Sequence, residues 1–227
     1  MARAAEFVRR FEVPTRLAHW ALAVPFLLLL LTGLTNYLPR LKALAIGGFR
    51  VFAWAHVLLG FAMVVIAVLV VLSLLRSRSM RGDAEVLAAF GDDDVRWLEH
   101  EAMALAGQRT ATPRVGKFNA GQKINAAISA LATIGLLGTG VILGINTFSK
   151  SVFTVGITGM TFSWHTLLAL ATIPVVLGHV YLAALNPATR ESLRGITRGF
   201  VRRDWAMRHL PDWTTHASEH ELPPEHR

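Results

Sequence analysis

HTLLALATIPVVLGH, residues 165–179, is an apolar run with a histidine at each end. Extended to 163–185, it reaches the roughly 20 apolar residues a helix needs to cross a hydrocarbon core of about 30 Å. Three further runs of this kind stand at about 18–35, 52–75 and 122–144. The apolar residues come in long blocks, not in the alternation of a strand or the stripe of an amphipathic helix. They make up 53% of the 227 residues, and mean hydropathy is +0.44. The sequence therefore predicts an all-α integral membrane protein, a bundle of four transmembrane helices. Pro25 and Pro174 fall inside predicted spans, where membrane helices tolerate kinks. A charged lead, RRFEVPTRLAH, precedes the first span without a small-residue cleavage site, so that span is read as a retained helix and not a signal peptide.

Charge supplies the orientation. Lys and Arg number four before the first span, seven in the long middle loop (about 76–118) and seven in the tail. The two other loops carry three (Arg40, Lys42, Arg50) and one (Lys150). Eighteen against four is a positive-inside bias, which places both termini in the cytoplasm of a bacterial inner membrane. The net charge of +8 comes with no basic–aromatic interleave or nucleic-acid-binding motif, so no nucleic-acid partner is expected. The middle loop has the apolar spacing of one or two amphipathic helices at the cytoplasmic surface. The Arg-rich stretch after Asn186-Pro187 reads as a further surface helix. In this reading residues 1–213 form one membrane domain and 214–227 a flexible tail. No internal repeat is visible, and so the paired inverted halves of a transporter are missing.

Ionisable side chains are costly in a bilayer, so His19, His56, His165 and His179 each need a partner. His165 and His179 are fourteen residues apart. At about 1.5 Å and about 100° per residue, that is roughly 21 Å along one helix and within about 40° of one face. With the N-terminus inside, His56 matches His165 in depth near the periplasm, and His19 matches His179 near the cytoplasm. Each pair fits the two axial positions of one heme iron. Ligation by two histidines leaves no open position, which suits electron transfer and not oxygen chemistry. The chain has no cysteine, which excludes disulfides, iron–sulfur ligation and covalent c-type attachment and leaves two heme b held non-covalently. His165 and His179 are too far apart to share one zinc or copper ion.

Supporting residues are less specific. Gly60, one turn after His56, and Gly178, beside His179, are read as room for a macrocycle, with Gly33, Gly138, Gly140 and Gly144 on other spans. Arg16 and Arg50 stand where heme propionates would be paired, or serve as interfacial anchors. His100, His209, His216, His220 and His226 are read as solvated.

RFEVPTRLAHW at the first span, HVLLGF in the second and KFNAGQKINA opening the third carry a family resemblance. HTLLALATIPVVLGHVYLAALNP in the fourth span and VRRDWAMRHLPDW in the tail continue it. From about Phe11 to Trp213 the chain resembles the gamma subunit of respiratory formate dehydrogenase, a diheme cytochrome b. KFNAGQK and the fourth-span histidine pair are the most specific parts. The resemblance implies the quinone-reducing membrane subunit of an oxidoreductase complex, not formate-oxidising alone. It implies an iron–sulfur beta subunit and a molybdenum or tungsten pterin alpha subunit as partners. It assigns the periplasmic heme to His56 and His165 and the cytoplasmic heme to His19 and His179. Menaquinone or ubiquinone would bind beside the latter through residues matching Asn119, Gly121 and Gln122. Amide side chains and free N–H groups at a helix start suit a quinone carbonyl, while a helix cap is the structural alternative for Asn119. Lys117 and Lys123 flank this place as interface anchors. Cytochrome b subunits of nickel–iron hydrogenases and of other molybdoenzymes such as thiosulfate reductases share the four-helix plan and are the alternative. A heme-free membrane anchor or transporter is the alternative from another class.

Overall fold

The computed structural model describes residues 6–46, 49–108, 113–149 and 152–216. Lys150, His220, His226 and the rest of the tail from 217 lie outside the described residues. The chain opens with strand β1 (Phe7–Arg9) and helix α1 (Val13–Leu34). A short connection of a 3-10 turn, α2 (Pro39–Lys42) and the paired strands β2 (Ala45–Ile46) and β3 (Phe49–Arg50) leads to α3 (Val51–Arg76). Then come α4 (Arg78–Ala88), α5 (Asp92–Leu105), α6 (Ala120–Phe148) and α7 (Val155–Val180), the last prolonged by a π-helical turn over Tyr181–Leu185. The tail forms α8 (Glu191–Arg198), β4 (Phe200–Arg202), α9 (Arg203–His209) and α10 (Pro211–His216).

α1, α3, α6 and α7 with its extension are each long and apolar enough to cross a membrane, and α1 and α7 run through Pro25 and Pro174. α6 and α7 reach further than the expected spans. Glycine and threonine in VGITGMTF read as a turn in water, but in an apolar medium their backbone groups are best paired within a helix. Thr154 starts it, its Oγ1 accepting from the Ile157 amide at 3.3 Å. The middle loop holds two helices, as its apolar spacing predicts. The tail departs from the single predicted helix: Gly199 ends α8, and Pro211 starts a new helix that runs to His216, past the expected boundary at 213. Two short two-stranded sheets also qualify the all-α expectation. Strands of two or three residues are too brief to leave an alternating pattern.

The chain forms two compact units. One, Leu17–Arg76 with Ser129–Val176, contains most of the long helices. Leu31, Leu131, Ile134 and Leu167 stand exposed on it, the arrangement of a lipid-facing surface. Its helices approach at glycines: a Cβ on Gly144 would lie 2.8 Å from the Phe61 ring, and one on Gly135 would lie 2.9 Å from Leu168.

The other unit joins Met1–Arg16, Ser77–Ile128 and Leu177–Arg227. β1 pairs antiparallel with β4, Phe7 opposite Arg202, and Val8, Val115, Val201, Trp205, Ala206 and Leu210 form the core beneath. Arg10 is buried there, donating to the Lys117 carbonyl at 3.0 Å, with the rings of Phe11, Phe118 and Trp205 within 6.0 Å of its guanidinium. Burial pulls its pKa down to about 10, partly offset by Asp83, so it stays protonated at neutral pH. Asp83 on α4 accepts from Thr15 Oγ1 at 2.9 Å and pairs with Lys117. Gly199 has φ +92°, and its N–H closes α8 on the Gly195 carbonyl at 2.9 Å. A Cβ at that position would lie 2.9 Å from the Phe11 carbonyl. Gly199→Ala therefore combines a strained backbone with a clash, an expected cost of about 1–3 kcal/mol. The thermal midpoint of the detergent-purified chain should fall; an unchanged midpoint would count against this account.

Candidate functional site

His56 on α3 and His165 on α7 face each other with ring centres 6.2 Å apart and planes at 90°. Both are half-buried, and both lie in the unit of long helices. A helix neighbouring in sequence holds each ring. Thr32 Oγ1 on α1 lies 3.0 Å from His56 Nδ1, and Thr139 Oγ1 on α6 lies 2.8 Å from His165 Nδ1. Each hydroxyl also donates to the carbonyl four residues back, Leu28 at 2.8 Å and Gly135 at 2.7 Å. The glycine after each threonine makes room for the ring. A Cβ on Gly33 would lie 3.3 Å from His56 Cε1, and one on Gly140 would lie 3.4 Å from His165 Cε1.

The arrangement has a chemical meaning. A hydroxyl carries one hydrogen; where the carbonyl takes it, the oxygen meets Nδ1 as an acceptor. In that tautomer the ring proton sits on Nδ1 and the lone pair on Nε2, the form in which Nε2 could bind a metal. One metal held axially between two imidazoles asks for ring centres about 6 Å apart: two bonds of about 2 Å plus the half-width of each ring. The observed separation fits. Among the described residues no three His, Asp or Glu side chains gather into a metal site.

His19 on α1 lies in the same unit as this pair, its ring edge-on to Trp20 at 5.1 Å between centroids. His179 belongs to the other unit, where Asn125 Nδ2 on α6 lies 3.3 Å from its Nδ1. The glycines noted in the sequence fall into two groups. Gly60 and Gly178 have open space where a Cβ would stand, whereas Gly33 and Gly140 meet the rings, because the contact is set by the neighbouring helix and not by nearness in sequence. Arg16 donates to the Thr197 carbonyl and so secures the tail. His209 is not simply solvated: it stacks on Trp205 at 4.7 Å, with Nδ1 3.0 Å from that residue's carbonyl.

The stretch from Lys117 to Lys123 is a lock at the start of α6. Asn119 Oδ1 accepts from the Gln122 amide at 2.8 Å, and Gln122 Oε1 accepts from the Asn119 amide at 3.1 Å, a reciprocal cap. Both side-chain oxygens are thereby engaged, and both NH₂ groups remain as donors. Gly121 lies under Trp97, whose ring would stand 3.1 Å from a Cβ there. Lys117 pairs with Asp83 and Lys123 with Asp94 at 2.8 Å, so the two lysines tie the start of α6 to the middle-loop helices. Asp94 also caps α5 by accepting from the Gly91 amide at 3.0 Å. An open cavity of about 610 Å³ adjoins this place. Asn119 lines it together with Phe90, Trp97, Arg114 and Lys123, while Gly121 and Gln122 do not. Thr32, Thr139 and Asn125 had no place in the sequence reading. The available signal was a Thr-Gly dipeptide on the helix preceding each of two histidine-bearing spans.

Comparison with known proteins agrees with this picture. The profile of the prokaryotic cytochrome b561 family matches residues 10–199. A Haemophilus influenzae protein named as the cytochrome b556 subunit of formate dehydrogenase is 27% identical over 210 residues, covering 90% of this chain and 81% of that protein. The cytochrome b556(Fdn) subunit of the nitrate-inducible formate dehydrogenase of Escherichia coli K12 is also 27% identical over 210 residues, covering 92% and 90%. The cytochrome b556(fdo) subunit from the same organism is 23% identical over 206 residues, covering 90% of each chain.

Removing one partner of a buried ion pair strands the other. Asp94→Ala should therefore destabilise the chain by about 3 kcal/mol, with Asp94→Ala/Lys123→Met regaining part of the loss. Chemical denaturation followed by helix content measures both, and equal stability of the double and single variants would show that the pair is not coupled.

Proposed function

Because the chain belongs to the prokaryotic cytochrome b561 family, a family of b-type membrane cytochromes, we propose that it is the membrane subunit of a respiratory formate dehydrogenase. It sits in a bacterial inner membrane with both termini in the cytoplasm, as its charge asymmetry supports. Electrons arrive from a periplasmic iron–sulfur subunit fed by a molybdenum or tungsten pterin subunit, and leave to menaquinone or ubiquinone near the cytoplasm. The observation that carries this reading is the opposed pair His56 and His165, 6.2 Å between ring centres, each with Nδ1 bonded to a threonine. The names of the relatives support formate as the electron source.

His56 and His165 would hold one heme b, and His19 and His179 a second. Bound there, the hemes would supply reversible one-electron transfer. The imidazoles contribute Nε2, and glycine at 33 and 140 lets the rings lie close to the facing helices. Asn125 orients His179: with its amide turned so that Oδ1 faces the ring, it fixes the same tautomer as the threonines do. Asn119 and Gln122 present their NH₂ groups as donors to a quinone carbonyl, their oxygens being held by the cap. Gly121 acts indirectly by seating Trp97.

The complex purified in detergent tests the assignment. Pyridine hemochrome analysis should give two protohemes per chain, and His56→Ala or His165→Ala should leave one. His179→Ala should also leave one while dye-linked formate oxidation continues. Joint loss of dye-linked and quinone-linked activity in His179→Ala would contradict the division between the two hemes. Asn119→Ala should keep both hemes and raise the quinone KM about fivefold, the worth of one hydrogen bond; unaltered quinone kinetics would remove it from the site.

A further inference from the structure

We propose that Thr32 and Thr139 are positioning residues that set the electron-donating strength of His56 and His165, and with it the reduction potential of the heme between them. This rests on the reading above that those two histidines share a heme.

The argument starts from hydrogen-bond capacity. Thr32 Oγ1 lies within bonding distance of two backbone carbonyls, Leu28 at 2.8 Å and Leu29 at 3.2 Å. Thr139 Oγ1 repeats this with Gly135 at 2.7 Å and Leu136 at 3.2 Å. A neutral imidazole that gives Nε2 to the iron carries its proton on Nδ1, which can then only donate, so in both places the hydroxyl hydrogen goes to the helix backbone. What faces the imidazole is a lone pair. The bond at 3.0 Å to His56 and at 2.8 Å to His165 therefore runs from the ring to the hydroxyl.

An acceptor on Nδ1–H has an electronic consequence as well as an orienting one. Drawing that proton outward gives the ring partial imidazolate character and makes Nε2 a stronger donor. A stronger axial donor favours the oxidised iron and lowers the potential. Here both axial rings receive the same acceptor, so the two effects add on one iron. The bonds also lie among apolar helices, where no water competes for them.

Local geometry points the same way. Thr32 precedes Gly33 and Thr139 precedes Gly140, and each glycine lies against Cε1 of the ring its threonine binds. The Thr-Gly pair thus grips one edge of the imidazole: the hydroxyl holds Nδ1, and the missing side chain admits the adjacent carbon. The histidine follows its threonine by 24 residues in one case and 26 in the other. The two halves of the unit therefore carry the same device, although no repeat is visible along the sequence.

Thr32→Val and Thr139→Val keep the shape and delete the acceptor; Thr32→Ser and Thr139→Ser restore it. In the purified complex, each valine variant should retain two hemes by pyridine hemochrome. In a redox titration one of the two midpoints should move upward, by about 59 mV if the preference for the oxidised state weakens tenfold, and the serine variants should return it. Valine variants with both hemes, unmoved midpoints and an unaltered low-spin EPR signal would overturn the proposal. If a valine variant loses heme or does not fold, the unsubstituted complex decides. With ¹⁵N-histidine and H₂O–D₂O exchange, pulsed EPR should find an exchangeable proton on Nδ1 of both ligands, and its absence would equally overturn the proposal. The underlying heme assignment fails separately, if His56→Ala keeps two hemes.

Discussion

An imidazole placed among apolar helices has no water to bond to, and every other feature of the histidine pair follows from that constraint. The ring nitrogen that meets the neighbouring helix must be satisfied by the protein, or the cost of burying it stands uncompensated. The chain meets this with the least intrusive polar group available, a hydroxyl already bonded to its own helix. A carboxylate would bring a charge into the same place and an amide would need more room. Threonine adds neither, and the glycine beside it returns the space that the ring takes up.

At the start of α6 the proposed quinone motif and a mechanical joint occupy one stretch. From Lys117 to Lys123, side chains form two ion pairs, a reciprocal cap and a glycine seat for Trp97. None of this competes with donation to a quinone, because the cap uses the oxygens of Asn119 and Gln122 and leaves their nitrogens. The cap also removes rotational freedom from both amides. A donor that is already oriented loses little entropy on binding.

Whatever depends on local pattern was legible in the sequence. The four spans, the helices of the middle loop and the tolerated prolines follow from hydropathy and periodicity within a short window. The pairing of His56 with His165 was legible because depth can be counted along helices. What was not legible depends on which face of a helix meets which neighbour. Gly60 is nearest to His56 in sequence and has open space beside it, while the contact with the ring comes from Gly33 on another helix. Thr32 and Thr139 were passed over for the same reason, since a lone threonine in a membrane helix ordinarily bonds its own backbone. The C-terminal end of α6 and the N-terminal end of α7 run past the segments read from hydropathy, because turn chemistry learned in water does not carry into an apolar medium. β1 escaped notice because its partner β4 lies near the opposite end of the chain.

That strand pairing bears on how the polypeptide is made. Phe7 finds Arg202 only after nearly the whole chain has left the ribosome, and the core around Val8, Val201 and Trp205 waits with it. The unit containing this sheet draws on three separate stretches, with the long helices encoded between them. Synthesis from the N-terminus therefore delivers those helices to the translocon before the sheet can close. Completion of the sheet is accordingly a late event in biogenesis, and a chain that lost its last thirty or so residues would lack it.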